Sequence, residues 1–392
     1  SDGTIFTDYD GPIDYDEYGV YVQAQKKFMD DRLKVTASGR YDKAQNFSGN
    51  TSPRVSFSYG MGADRNHNLR ASVQTGFRNP TTQDQYIGLN TGAGTLVGSA
   101  PDNLDRYTTP ALAVSATGQF IANTFGSGIG ATTTLSGRRA YDNSISLSSI
   151  TNGTFQKANI DFVKPERVTA FEAGYRGVIS GVTIDLSGYY NNYEDFIATK
   201  SVAVPFYGKA DLSDVLPVAL SPTLPAGTPL ALVALGLGDF QGFGVYTNST
   251  ADISSYGFGI GLSTKVLDGY SLSGSYSWAK FNFDQASDPD FEAGFNTPEH
   301  KVKVQFGNPN VLKNFGFNVN LRWQSEYLWE ATFYDAMIDS RTTVDAQINY
   351  RLPQFKSTLK LGGANLGANE YFGAPGSGAI GSQYYLSWVI NP

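Results

Sequence analysis

Hydrophobic and polar residues alternate along much of this chain. In the stretch GYSLSGSYSWAKFNF (269–283), apolar and aromatic residues alternate with serines up to Trp278. Because side chains of a β-strand point alternately to opposite faces, this pattern predicts a strand with one apolar and one polar face. After Trp278 the parity reverses and places Phe281 and Phe283 on the formerly polar side. We therefore expect the strand to leave its apolar surroundings there, or to carry a β-bulge.

The same alternation recurs in about thirteen segments, each near the length of about ten residues that crosses a bilayer at a tilt. Short turns join many of these segments in pairs, at 29–32, 179–181, 267–269, 308–314 and 353–356. Long connections follow other segments, at about 79–165, 199–246 and 284–297. Short turns at one end and long loops at the other are typical of an outer-membrane β-barrel. We expect residues 1–392 to form a single transmembrane β-barrel segment whose long loops are extracellular.

The polar parity of these segments carries full charges. A face that is charged in strand after strand must meet water, so the apolar parity is expected to face lipid and the charged parity an aqueous lumen. Aromatic residues near segment ends, such as Tyr41 and Trp323, fit an interfacial girdle. The predicted lumen-facing residues are Arg40, Arg70, Arg78, Glu172, Arg176, Asp185, Lys301, Lys303, Arg322 and Asp345.

Composition changes this interpretation little, but it excludes several classes of protein. The mean hydropathy of −0.26 resembles that of a soluble protein, because alternating apolar and polar residues cancel in the average. No apolar run reaches about 18 residues, which argues against a transmembrane helix. The net charge of −7, without a long basic run, argues against a nucleic-acid partner. The absence of cysteine excludes disulfides and thiolate metal sites.

Neither catalysis nor a cofactor is predicted. The chain has two histidines, His67 and His300, and no nucleophile motif accompanies them. The acidic opening places Asp8, Asp10 and Asp14 near the spacing of an EF loop, but Ile13 occupies the position that requires glycine. The segment DQASDPDFEAG (284–294) is interpreted as a solvated loop tip. We therefore predict no metal site and no enzyme.

The connection 211–243 is unusually apolar for a loop. Because exposed apolar surface of this size marks an interface, we expect it to fold over the lumen mouth or to dock a partner such as a surface lipoprotein. Pro229 is placed to start a short helix that ends near Gly236 or Gly238. The residues predicted to make the contact are Leu216, Pro229, Leu230, Leu232, Leu235 and Phe240.

Six motifs resemble, in order, those of TonB-dependent outer-membrane receptors. They are SPRVSFSY (52–59), LRASVQTGFRNPT (69–81), VKPERVTAFEAGYRG (163–177), GVTIDLSGYYNNYEDFI (181–197), NTPEHKVKVQF (296–306) and GGANLGANEYF (362–372). Within them, FRNPT (77–81) is interpreted as a strand end and KPER (164–167) as a strand start. The resemblance implies an all-β fold, an antiparallel transmembrane β-barrel of about 22 strands closed by an N-terminal plug. It also implies import of a large scarce solute with energy supplied through TonB.

The chain departs from this family pattern in two respects. These residues contain neither a plug nor a TonB-contacting box, and about thirteen strands are too few for the family barrel. We therefore expect the C-terminal part of a receptor or one piece of a split receptor. The implied partners are outer-membrane lipid, the plug domain and TonB–ExbB–ExbD. The alternatives are a passive pore or structural barrel of an envelope complex and, from another class, a soluble all-β binding protein.

Overall fold

Thirteen strands form one antiparallel sheet, as the alternation predicts. The computed structural model describes residues 13–125, 128–267, 269–367 and 369–390. Each strand pairs with its neighbours in sequence, and the described parts of the first and last strands do not pair with each other. The strands are β1 (Glu17–Phe28), β2 (Leu33–Ala44), β3 (Asn50–Met61), β4 (His67–Arg78), β5 (Glu166–Ile179), β6 (Val182–Glu194), β7 (Ile253–Val266), β8 (Tyr270–Phe283), β9 (His300–Leu312), β10 (Phe315–Gln324), β11 (Arg341–Leu352), β12 (Ser357–Ala364) and β13 (Gln383–Ile390).

The two ends of the sheet differ in the length of their connections. At one end the strands are joined by tight turns, such as 29–32, 180–181 and the 3-10 turn Pro353–Phe355. We call the opposite end the long end. Its connections are 45–49, 79–165, 195–252, 284–299, 325–340 and 365–382.

One predicted turn is wrong. The segment 308–314 is not a turn as a whole, because β9 continues to Leu312 and pairs there with Phe315. The register shifts between Asn308 and Leu312, around Pro309, whose nitrogen has no hydrogen to donate to a sheet. The chain therefore reverses only at residues 313–314, where Asn314 adopts a φ of 66°.

Apolar side chains form a continuous band on one face of the sheet. Val73 lies opposite Val55 on β3 and Phe171 on β5, and opposed residues point to the same face. These side chains remain exposed; Val73, for example, is 48% exposed. The sheet has no second layer over this band in the described residues, which leaves the band to face the surroundings.

The buried apolar core lies instead at the long end. We call the connections 79–165, 195–252 and 284–299 together the loop cluster. They share a second sheet, in the order Phe291–Glu292, Ile197–Pro205, Phe240–Asn248, Thr95–Val97 and Gly88–Asn90, with Ile145–Ser146 paired to Ile197–Pro205. Leu104, Ile121 and Phe243 are among the residues fully buried there.

Short helices complete the loop cluster. They are α1 (Thr82–Tyr86), α2 (Pro101–Arg106), α3 (Ala116–Thr124), α4 (Gly137–Asp142), α5 (Leu147–Thr151) and α6 (Leu230–Leu237). Two small hairpins are also present, Leu112–Ala113 with Thr132–Thr133 and Tyr327–Trp329 with Ala336–Ile338. Among the described residues, none of the helices combines the length and the apolar character needed to span a bilayer.

The parity reversal after Trp278 has a packing cause. β8 pairs with β7 without a register shift as far as Phe283, so the predicted β-bulge is absent from this pairing. Phe281 stacks on Phe295 with 4.5 Å between ring centroids. The ring centroids of Phe283 and Phe291 are 6.0 Å apart. The apolar side of the strand changes because Phe281 and Phe283, near its end, pack against the loop cluster.

Candidate functional site

The ten charged residues predicted to face a lumen all lie on one face of the main sheet, opposite the apolar band. Their positions follow from the strand register; Arg176 lies opposite Asp185, and Lys303 lies opposite Arg322. That this face borders an aqueous lumen stays a prediction.

Ion pairs connect many of these residues across strands. Asp185 accepts a hydrogen bond from Arg70 at 2.9 Å and lies 3.8 Å from Arg176. The Arg322 Nη2 atom lies 2.6 Å from the Asp345 Oδ2 atom. Arg40 instead pairs with Asp42 on its own strand, at 2.6 Å.

Several grooves run along the charged face, and two of them are lined by the predicted charged residues. Arg176, Asp185, Lys303, Arg322 and Asp345 line a groove of about 540 Å³. Arg70 and Glu172 line a second groove of about 580 Å³ together with Lys34 and Arg54. Lys34, Arg54 and Lys303 have no salt-bridge partner among the described residues. Cationic side chains are therefore available within both grooves.

The motifs FRNPT and KPER meet at the long end of β4 and β5. Arg78 donates to Glu166 at 2.9 Å and to the Ile197 carbonyl at 3.1 Å. Glu166 also accepts a hydrogen bond from the Ile197 amide at 3.0 Å. These bonds hold the beginning of the loop cluster on the end of the sheet, which agrees with the interpretation of FRNPT as a strand end and of KPER as a strand start.

The apolar connection 211–243 forms part of the loop cluster core. The predicted helix is confirmed as α6, which begins after Pro229 and ends at Leu237, just before Gly238 with its φ of 76°. Leu216 and Leu230 are each 1% exposed, and Leu232 and Leu235 pack on a neighbouring apolar cluster. Phe240 is 38% exposed. Much of this apolar sequence is therefore explained by internal packing, and its contact with a partner stays a prediction.

Two buried acidic residues at the long end could not be identified from the sequence. Asp239 is 2% exposed and accepts hydrogen bonds from Ser115 and Tyr207. Asp288 is 5% exposed and pairs with Lys200 at 2.8 Å. The interpretation of 284–294 as a solvated tip is therefore wrong for Asp288, and also for Phe291 and Ala293, which are buried in an apolar cluster. No local pattern marks either acidic residue, because their partners lie far away in sequence.

No metal-binding group emerges from the described residues, since no three His or acidic side chains are arranged to hold an ion. Asp8 and Asp10 of the acidic opening lie outside the described residues.

A cluster of carboxyl groups at the long end contains two residues whose pKa values are raised, Glu292 and Glu330. Burial, together with the negative charges of Asp335, Glu330 and Asp290, raises the pKa of Glu292 to about 7. Burial and Asp335 also raise the pKa of Glu330, although the Gly294 and Phe295 amides oppose this shift. Sequence analysis missed this cluster because its members come from two separate connections.

Comparison with known proteins identifies the family. The model of the TonB dependent receptor-like β-barrel matches residues 1–366. The chain belongs to the TonB-dependent receptor β-barrel family. This membership makes it part of an outer-membrane β-barrel of a Gram-negative bacterium, and the family is one of receptors and transporters. No curated protein sequence shows significant similarity to the chain.

Solved structures of TonB-dependent receptors share the fold. The siderophore receptor PirA from Acinetobacter baumannii has a TM-score of 0.56 at 13% identity, over 95% of this chain and 45% of that one. A mutant of the ferric enterobactin receptor PfeA from Pseudomonas aeruginosa has a TM-score of 0.53 at 13% identity, over 91% and 40%. The FrpB iron transporter from Neisseria meningitidis has a TM-score of 0.53 at 12% identity, over 94% and 44%. The chain spans less than half the length of these proteins.

Proposed function

We propose that this chain is the barrel part of a TonB-dependent receptor that imports a large scarce solute by energy-coupled transport. The observation that carries the proposal is the division of the family-matched sheet into an exposed apolar face and a charged face with two grooves. A solute would cross along the charged face after a plug domain moves under force from TonB–ExbB–ExbD. The chain acts in this process as a transporter and not as an enzyme.

We further propose a ferric siderophore as the solute. The similar structures named above are described as receptors for siderophores or ferric enterobactin, or as an iron transporter. The cations without salt-bridge partners in the two grooves suit an anionic complex.

Uptake of radioactive iron by the native host tests the transport proposal. Deletion of the gene should abolish uptake from one class of ferric siderophore, and loss of TonB should abolish it equally. Uptake that persists without TonB would favour the passive pore. The variant Lys303→Gln should reduce uptake because it removes a groove cation, whereas Lys313→Gln in the turn 313–314 provides the matched control.

A lipoprotein partner is a separate proposal, supported by exposed apolar residues in the connection 211–243. Val218 is 54% exposed and Leu220 is 36% exposed, whereas Leu216 nearby is buried. The variant Val218→Ser should weaken co-purification of a surface lipoprotein without unfolding the loop cluster. Unchanged co-purification would contradict this proposal, and Ser213→Ala on the same connection is the control.

A further inference from the structure

The connection 325–340 reaches from the main sheet onto the loop cluster. Its hairpin, Tyr327–Trp329 with Ala336–Ile338, carries a tip formed by residues 330–335. The Thr332 hydroxyl lies 2.9 Å from the Thr199 hydroxyl, and the Thr332 carbonyl accepts a hydrogen bond from Ser201 at 2.8 Å. The Glu330 amide donates to the Asn296 side chain at 2.8 Å, and that side chain donates back to the Glu330 carbonyl at 3.0 Å. The tip is therefore docked by specific bonds.

Two glycines of the loop cluster form a notch for this tip. A Cβ atom at Gly244 would overlap the Thr332 methyl group, and one at Gly94 would overlap the Phe333 ring. Gly242, two residues away on the same strand, has no atom near the position of a Cβ. The close approach of the tip thus depends on missing side chains at two particular positions.

The docked hairpin crosses part of the long end. It leaves the sheet between β10 and β11, whereas Gly94 lies in the connection after β4 and Gly244 in the connection after β6. Three strands separate β6 from β10. The tip therefore links a connection that begins at β10 to connections that begin at β4 and β6. Release of the tip would therefore open this part of the long end.

The notch is bordered by acidic groups that form no salt bridge within the described part of the chain. Glu292 faces Asp335 and Glu330 on the hairpin and Asp290 on its own connection. Asp290 is held by hydrogen bonds from Ser146 and the Ser148 amide. Glu292 lies opposite Thr199. Lys200, which follows Thr199, forms a salt bridge with Asp288 instead. Neither Glu292 nor Glu330 has a salt-bridge partner among the described residues.

We propose that the 325–340 hairpin is a pH-responsive latch, docked in the Gly94–Gly244 notch while the acidic cluster holds protons and released as the cluster becomes fully charged. The latch is a property of the connections of this chain and does not depend on which solute the receptor carries. Docking brings Glu330 and Asp335 towards Glu292, so repulsion among them opposes docking once all are ionised.

The sign of the pH dependence follows from proton linkage. The pKa of Glu292 is about 7 in the docked state, against an ordinary value of 4.5. Because the docked state binds this proton more tightly, docking is strongest below pH 4.5 and weakens as the pH rises through 7. Within that interval, one coupled proton changes the docking equilibrium by up to about tenfold per pH unit.

Distance measurements by double electron–electron resonance test the latch. The chain has no cysteine, so spin labels attach only at introduced ones. We would label Tyr334→Cys on the tip and Leu237→Cys on the loop cluster, both exposed positions, in the full-length protein in liposomes. A single short distance is expected at pH 5.5, and a longer one should dominate at pH 8.5. Identical distance distributions at the two pH values would overturn the proposal.

Matched variants test the contribution of the acidic charge to docking separately from that of the notch. Glu292→Gln should keep the short distance at both pH values, whereas Glu326→Gln, an exposed acid on the same connection, should respond like the wild type. Gly244→Ala should give the long distance at both pH values, and Gly242→Ala should not. A wild-type pH response in Glu292→Gln would refute the latch. These distances do not involve transport, so failure of the proposed import function would leave their outcome unchanged.

Discussion

Asp239 shows how a buried carboxylate is accommodated at the start of a helix. Its oxygens accept hydrogen bonds from the Ser115 amide at 2.7 Å, the Ser115 hydroxyl at 2.9 Å and the Tyr207 hydroxyl at 3.0 Å. Ser115 is the N-cap of α3, whose unpaired amides favour negative charge. Burial and Asp239 together raise the pKa of Tyr207, which keeps this hydroxyl a donor. Asp239 therefore ties α3 to the strand that follows α6.

We predict that Asp239→Asn loosens α3. The substitution replaces a charge-assisted acceptor by an amide that cannot accept all three bonds, at a cost of roughly 2 kcal/mol. Amide hydrogen exchange in residues 116–124 should become about 30-fold faster by this estimate. Asp252→Asn, at an exposed position just before β7, is the control. Equal exchange in both variants would show that Asp239 is dispensable.

We also predict that Lys200→Met destabilises the loop cluster strongly. The variant leaves Asp288 buried with only hydroxyl and amide partners from Ser249 and Thr250. Loss of one member of a buried ion pair costs about 3–5 kcal/mol. Protease cleavage of the loop cluster should therefore be faster in Lys200→Met than in the wild type.

Two further variants test this interpretation of Lys200. The double variant Lys200→Met/Asp288→Asn should recover part of the protease resistance, because neither of the two positions then carries a charge. Lys209→Met, at an exposed position, should leave cleavage unchanged. If single and double variants were cleaved equally fast, the buried charge would not be the cause.

At the level of elements, the strands of the main sheet could be predicted, whereas the loop cluster could not, apart from one helix. Each main strand has two different environments, so its residues alternate, as in β10 from Phe315 to Trp323. The loop-cluster strand Ile197–Pro205 is largely buried on both sides and shows no alternation. α6 could be predicted because Pro229 and Gly238 delimit it. The charged face followed from parity, whereas the Asp239 and Glu292 contacts depend on distant parts of the chain.

The two apolar environments of β8 give a prediction for this strand. Phe281 packs against the loop cluster, whereas Leu272 belongs to the exposed apolar band and is 39% exposed. Phe281→Ser should expose the loop cluster to protease but leave the heat-modifiable migration of the barrel on a gel unchanged. Leu272→Ser should have the opposite pattern, because it places a hydroxyl in lipid. Identical effects of the two variants would contradict the division of β8 near Trp278.

The whole molecule separates its charges along the strand direction. The long-end connections 79–165, 195–252, 284–299, 325–340 and 365–382 contain 20 acidic and 7 basic residues. The rest of the chain is therefore net positive, given a total charge of −7. An approaching anion would meet a negative field at the long end before it reached the cations of the two grooves. This arrangement bears directly on the proposed ferric siderophore.

We predict that salt accelerates the binding of an anionic solute, if the long end faces outwards as proposed. The Debye length falls from about 30 Å at 0.01 M salt to about 8 Å at 0.15 M, so salt screens the acidic connections that repel the solute at a distance. Stopped-flow association of an anionic ferric complex should therefore become faster between these concentrations, and that of a neutral complex should not change. Slower association of the anion at high salt would mean that the groove cations control the approach, because attraction would then outweigh the repulsion from the long end.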